Sequence, residues 1–422
     1  MIEKFERKGI FYLPRKRENA IHGTLYYAAK TGLTLDLIGS FPNNTERSLK
    51  LIHGELQDGK AVTLFNSFEI HLSFSSQGMT IAKYASNYLF MGDALFTSER
   101  DISFNKVEVH YSHIENWLNV QSGFKSIEFE PKVHKISLEY ELPKPIAIPL
   151  TGGKSINLKF RAKPPAQHMM LRTGISIKQK TSVEFKYPRK AQLWSVFDDV
   201  YHFKSFLTLC LQRPAFIKQM RGFAKIGNLK KLYEVEIYFS QGMKIKEPKE
   251  LYPMDILMPY RDLAEILPMV IKSWYDNKIK LRPTEEPFFI TYHERQYFTS
   301  DKFLHLTRAL EAFHRDTMNS KKIFYSIRLA ELQQSYSKLY NKLLRIKSRK
   351  EFTRKIVSLR NDFTHSNPVN QRNPDRFVKM HYLIENMRIM LSCILLNYHG
   401  IPSSTIVKRL LDSRLYSHIR KK

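Results

Sequence analysis

The chain has 422 residues, 43% of them hydrophobic and 13% aromatic, and a formal charge of +28. Such a composition excludes a disordered chain and leaves room for two or three domains with real cores. The charge points to an anionic partner, nucleic acid first and an acidic membrane surface second. Only two cysteines occur, Cys210 and Cys393, so neither a disulfide framework nor zinc-ligand spacing is expected.

Residues 1 to 187 carry short runs that alternate with period two, among them GTLYYA, LTLDLIG, AVTLFN, FEIHLSF and SINLKFRA. Gly, Asn, Asp and Pro turns separate them, a spacing that predicts an antiparallel β-sandwich-like or related all-β domain. The opening MIEKFERKGIFYLP lacks the apolar core of a signal peptide. TGGKS at 151–155 looks like a phosphate loop, but Ile148 stands where that motif needs its first glycine. INLKF after it alternates like a strand, so the segment reads as a turn.

Residues 188 to 297 form a mixed α/β middle region. AQLWSVFDDVYHFKSFLTLCLQ, 191–212, reads as an amphipathic helix. Strands near 215–225 and 231–240 predict a hairpin, and a helical stretch follows in which Pro268 marks a start or kink. Pro283 and Pro287 are expected to end the region.

Residues 298 to 422 read as an up-down helical bundle. In the first helix Phe303, Leu306, Leu310 and Phe313 fall on one stripe. Phe352, Ile356, Leu359 and Phe363 do the same in the third, and Gly400 closes the fourth. The most apolar stretch, MRIMLSCILLNY at 387–398, is too short to span a bilayer. A location in the cytoplasm, with no membrane partner, is the expectation. From residue 301 onward, 25 Lys and Arg stand against 9 Asp and Glu, so +16 of the charge lies in the bundle. The bundle is therefore the candidate anion-binding unit.

The third helix ends in SLRNDFTHSNP, 358–368, where Arg360, Asn361, Asp362 and His365 crowd together before Pro368. Histidine exchanges a proton near neutrality, and a guanidinium holds phosphate oxygens with two hydrogen bonds. Together they suit phosphoryl transfer within RNA: a base takes the 2′-hydroxyl proton while a cation stabilises charge on the phosphorus oxygens. No metal or other cofactor is called for. On a regular helix, positions 360 and 365 lie about 140° apart. Either the helix ends or distorts there, or the pair works with a second copy across a two-fold axis. The plain alternative is a helix C-terminus decorated with polar residues.

RNDFTH resembles the R-x4-6-H signature of HEPN-domain ribonucleases. FLHLTRALEAFHR followed by a long second helix and IVSLRNDFTHSNP is similar to the HEPN domain of the ApeA group of bacterial anti-phage proteins. GIFYLP, IHGTLYY, LDLIGSF, LIHGEL and VTLFNSF look like that group's N-terminal β domain. The resemblance implies an α+β protein and a homodimeric, metal-independent endoribonuclease acting in abortive infection. Host RNA, with tRNA as one candidate, would be cut to leave a 2′,3′-cyclic phosphate, and a phage-derived trigger would set it off. It further implies Arg360 at the scissile phosphate, His365 as general acid/base and Asn361 orienting the phosphate or the histidine. Asp362 either fixes the His365 tautomer or caps the helix. Glu311 and His314, one turn apart and off the apolar stripe of the first bundle helix, either line the same groove or are surface residues. The rival reading is a non-catalytic RNA- or protein-binding sensor module.

Overall fold

The computed structural model describes residues 4–42, 46–73, 79–120, 126–130, 132–137, 140–163, 178–225, 231–241, 251–292, 299–339, 349–364 and 374–414. The chain divides into two compact units: 1–114, 121–201 and 216–250 form the first, and 115–120, 202–215 and 251–422 the second.

The first unit is built on one antiparallel sheet. Six strands close on themselves: β1 (Phe5–Tyr12), β2 (Ile21–Ala28), β3 (Gly32–Ile38), β4 (Ser48–Leu56), β5 (Ala61–Ser73) and β6 (Ile81–Gly92). The order β5-β4-β1-β2-β3-β6 returns to β5, because β5 and β6 also pair. The antiparallel β-rich domain expected from the alternating runs is thus present, in the form of a barrel. Its alternation places Phe11, Leu25, Leu35, Ile52, Val62, Leu64 and Leu89 inside, all fully buried. Phe11 has room because two strands pass it without side chains. A Cβ on Gly54 would lie 2.5 Å from Phe11 Cδ1, and one on Gly23 would lie 3.1 Å from Cδ2.

β6 divides its other edge between two partners. Ile81–Ser86 pair with β3, and Tyr88–Gly92 pair with β14 (Tyr233–Phe239). From β14 the sheet continues through β13 (Ile217–Ala224), β7 (Ser103–Tyr111), β12 (Lys178–Gln192), β11 (Ser155–Lys163) and β10 (Ile146–Pro149). The hairpin expected near 215–240 is therefore present, and it lies in the middle of this extended sheet. A separate two-stranded ribbon pairs β8 (Ser126–Glu130) with β9 (Lys132–Ser137).

One face of the extension carries apolar residues such as Val107, Leu158, Val183 and Ile237. The other carries a charge lattice. Glu108 and Glu184 are almost wholly buried there beneath lysine and arginine side chains. Arg161 and Arg221 both hold Glu108, at 2.9 and 2.8 Å, and Lys159 sits on Glu184. Burial alone would raise the Glu184 pKa, but Lys159, Lys186 and Lys106 outweigh it and hold the carboxyl below its ordinary range.

TGGKS forms a turn between β10 and β11, with Gly152 at φ 79° and Gly153 at φ 74°. Only glycine adopts that backbone without strain. Lys154 reaches the buried carboxylate of Asp199 at 2.8 Å, so its ammonium is already engaged by an anion of the protein.

The second unit is helical. α1 (Ile114–Leu118) supplies Trp117, whose Nε1–H donates to the Met258 carbonyl at 2.8 Å. α2 (Leu193–Leu211) contributes its second half. α3 (Leu267–Asp276) begins at the expected Pro268 and supplies Trp274. α4 (Lys278–Ile290) contains both Pro283 and Pro287. That corrects the reading of these prolines as a boundary. Each removes one backbone donor, from a turn whose outer face meets solvent, where Ile279 is 87% exposed. Leu281 and Phe288 on the inner face remain fully buried and hold the helix in place.

The remaining helices among the described residues are α5 (Thr299–Thr317), α6 (Tyr325–Ser335), α7 (Arg349–Thr364), α8 (Pro374–Tyr398) and α9 (Ser403–Asp412). The expected α5 stripe is the buried one: Phe303, Leu306, Leu310 and Phe313 are all wholly inaccessible. Phe352 and Ile356 anchor α7, and Phe363 meets Phe303 edge-on at 5.7 Å. α8 stops at Gly400, whose φ of 95° ends the helix while the Gly400 and Ile401 N–H groups donate to Asn397 and Leu396 carbonyls. Cys210 and Cys393 are both buried free thiols.

Candidate active site

α7 is helical through Thr364, whose Oγ1 donates back to the Arg360 carbonyl at 2.7 Å. Arg360, Asn361 and Asp362 therefore leave the axis about 100° apart. They face three different surroundings. Arg360 turns toward α5, where its Nη2 donates to Glu311 Oε2 at 3.1 Å, and its guanidinium lies over the Tyr325 ring at 4.9 Å. Asn361 lines a groove between α6 and α7. Asp362 lines a second groove, with Glu351, Leu359 and Met380 of α8. His365, Ser366, Asn367 and Pro368 lie outside the described residues.

The Arg360–Glu311 pair is open to solvent. Each side chain keeps 33% of its surface exposed. Screening by water at that exposure limits the pair to about 1 kcal/mol or less, and the cation–π contact adds about 0.5–1 kcal/mol. Among the described residues, one of the five N–H donors of Arg360 has a side-chain partner. The guanidinium is thus positioned without being consumed. Tyr325 forms its floor; burial, then the Glu311 charge, raise the phenol pKa. Its hydroxyl has no hydrogen-bond partner among the described residues. Nothing in IFYSIR marks this tyrosine as part of a site before the structure places it under Arg360.

Glu311 and His314 separate. Glu311 borders the open groove that also contains His305, Arg308 and Arg315. His314 is completely buried, and this corrects the expectation that it lines a groove or lies on the surface. Its Nδ1 lies 2.9 Å from Arg328 Nη1 and its Nε2 2.6 Å from Glu331 Oε2. A guanidinium only donates, so Nδ1 accepts and the ring proton sits on Nε2, directed at Glu331. Arg328 also donates to the Asn319 and Lys321 carbonyls at 2.8 and 2.6 Å, fixing the turn after α5. The physical reason lies in the helix period: counted from Phe303, residue 314 stands about 20° away, inside the apolar stripe, whereas Glu311 stands about 80° away.

Among the described residues no three His, Cys, Asp or Glu side chains gather as a metal site, and no helix is long and apolar enough to cross a membrane.

Comparison with known families matches residues 6–274 to ApeA N-terminal domain 1, more than half of the chain. The chain belongs to the ApeA family. Residues 304–405 match the Apea-like HEPN domain, so the ApeA N-terminal domain is followed by the helical domain that carries Glu311 and Arg360. No curated protein and no solved structure matches the chain. HEPN domains are typically ribonucleases, and in an ApeA-family chain this domain indicates an RNase in anti-phage defence.

Proposed function

We propose that the protein is a metal-independent RNA endonuclease that cleaves host RNA, tRNA among the candidates, as an abortive-infection effector. Arg360 holds the scissile phosphate. His365 takes the proton from the ribose 2′-hydroxyl and a protonated imidazole delivers one to the departing 5′-oxygen, leaving a 2′,3′-cyclic phosphate and a 5′-hydroxyl. Asn361 orients the phosphate or the imidazole, and Asp362 fixes the tautomer of His365 or caps the helix. Two copies meet through the helical domain, and a phage-derived signal releases the activity.

The observation that supports this reading is the state of Arg360. It is a guanidinium one-third exposed, steadied over an aromatic ring, and, among the described residues, touched by a single carboxylate oxygen. A phosphate can take the place of that carboxylate and engage two N–H donors at once. The ribose supplies the nucleophile, so the chain needs to furnish only proton transfer and charge stabilisation.

The test is incubation of purified protein with total RNA in EDTA, with sequencing of cyclic-phosphate ends from cells infected by phage. Wild type should create new ends, and His365→Ala and Arg360→Ala should not. Ends that persist in His365→Ala, or wild type that binds RNA and never cuts it under infection, overturn the reading.

A further inference from the structure

Among the described residues, grooves that flank α5 and α7 differ in charge. The one bordered by Glu311 also contains Glu286, and the one bordered by Asp362 also contains Glu351. The third, between α6 and α7, has a volume of about 880 Å3 and no carboxylate in its lining, which includes Arg349, Lys350 and Arg354. Lys350 and Arg354 are exposed and make no ion pair among the described residues. Along α7, Lys350, Arg354, Val357 and Asn361 follow at spacings of four, three and four, a single stripe about 17 Å long. Its far end, Asn361, is the neighbour of Arg360. The floor is polar: Gln333 is 2% exposed, and its Nε2–H donates to Thr353 Oγ1 at 2.9 Å. Its Oε1 has no donor among the described residues.

We propose that this α6–α7 groove is the track along which a single RNA strand leaves the Arg360 site, with Lys350 and Arg354 on its phosphates. The proposal rests on the assignment of RNA as substrate, and it adds where the strand runs. Lys350 and Arg354, without an ion pair among the described residues and with no carboxylate in the groove lining, fit a polyanion. A polar floor of amides and hydroxyls is suited to sugar and base edges. The groove has one rather than two cationic rims: the lining supplied by α6 is Ser326, Ala330, Gln333 and Gln334. Contact along one side suits a single strand, whose other side stays in solvent.

The experiment uses the full chain and a short fluorescent oligouridine with 2′-O-methyl sugars, which binds but lacks the nucleophile for cleavage. Affinity is measured across a salt series for wild type, for Lys350→Ala with Arg354→Ala, and for Lys30→Ala with Lys50→Ala as a charge-matched control. Alanine suits an exposed helical position, so folding is preserved. Two lost phosphate contacts lower the slope of log affinity against log salt by about 1.4 for a single strand. Over a fourfold rise in salt the groove variant then loses roughly sevenfold less affinity than wild type, and the control follows wild type. A groove variant that keeps the wild-type slope overturns the proposal, as does wild type that fails to bind. So does unchanged binding with loss of self-association, which would make the groove a protein interface. Because the probe cannot be cut, groove-dependent binding by a chain that never cleaves RNA supports the track while the nuclease assignment fails.

Discussion

Replacing His314 with alanine should damage the fold, where loss of a groove residue would damage only activity. The imidazole is wholly buried and joins Arg328 to Glu331 at 2.9 and 2.6 Å. A hydrogen bond to a charged group contributes about 1.5–3 kcal/mol, and two are lost together. Arg328 is itself 95% buried, with its Nε already lacking a partner among the described residues. Removing one more acceptor from a buried cation puts the total near 3–5 kcal/mol, a large share of the roughly 5–15 kcal/mol that holds a typical domain. His314→Gln keeps an acceptor for Arg328 and a donor for Glu331, and should cost less than half as much. Urea unfolding followed by tryptophan fluorescence is the assay, since Trp117 and Trp274 are both buried in the second unit. A His314→Ala loss below about 1 kcal/mol, accompanied by abolished RNA cleavage, would refute the argument and return His314 to the substrate.

Glu311→Gln should leave stability within about 1 kcal/mol of wild type yet tighten RNA binding, because the substrate phosphate no longer competes with a carboxylate for Arg360; unchanged or weaker binding in a titration would contradict this. Burial, then the charge of His202, hold His399 down to a pKa of about 3. The unfolded chain therefore binds a proton there below about pH 6.5 that the folded chain refuses. Stability should be complete above that pH and fall by roughly 1.4 kcal/mol per pH unit below it until about pH 3. Urea midpoints across that range read the slope, and His399→Gln should flatten it. Gly54→Ala would place a methyl 2.5 Å from Phe11 Cδ1 and should cost about 1–3 kcal/mol. Phe11→Leu in the same chain should recover part of that loss, and thermal unfolding of both variants decides it.

Period and punctuation made many of the elements readable. The alternation in LTLDLIG and AVTLFN identifies β3 and β5, and the apolar spacing identifies α5 and α7. What such local patterns omit is partnership. No residue in YASNYLF announces that β6 pairs on one side with two different strands, because register depends on distant segments, Gly32–Ile38 on one stretch and Tyr233–Phe239 on the other. Pro283 and Pro287 are chain breakers by local rule, yet Leu281 and Phe288 gain enough from burial to keep α4 helical. At the site, Arg360 and Glu311 were both named from the sequence, and the structure brings them to 3.1 Å of each other. His314 was misplaced because four residues beyond Leu310 is still the apolar stripe. Tyr325 carried no mark at all, since an aromatic at a helix start is ordinary.

The divided edge of β6 bears on how the protein can be dissected. Cutting away everything after Gly92 would leave six strands that still close, but Tyr88–Gly92 would show a bare backbone edge where Tyr233–Phe239 now lie. An uncovered edge of that kind recruits strands from other molecules. A shortened version intended to carry only the ring of six strands should therefore come out of the cell aggregated unless residues 233–239 travel with it, and any minimal fragment has to be chosen by sheet neighbour rather than by position along the chain.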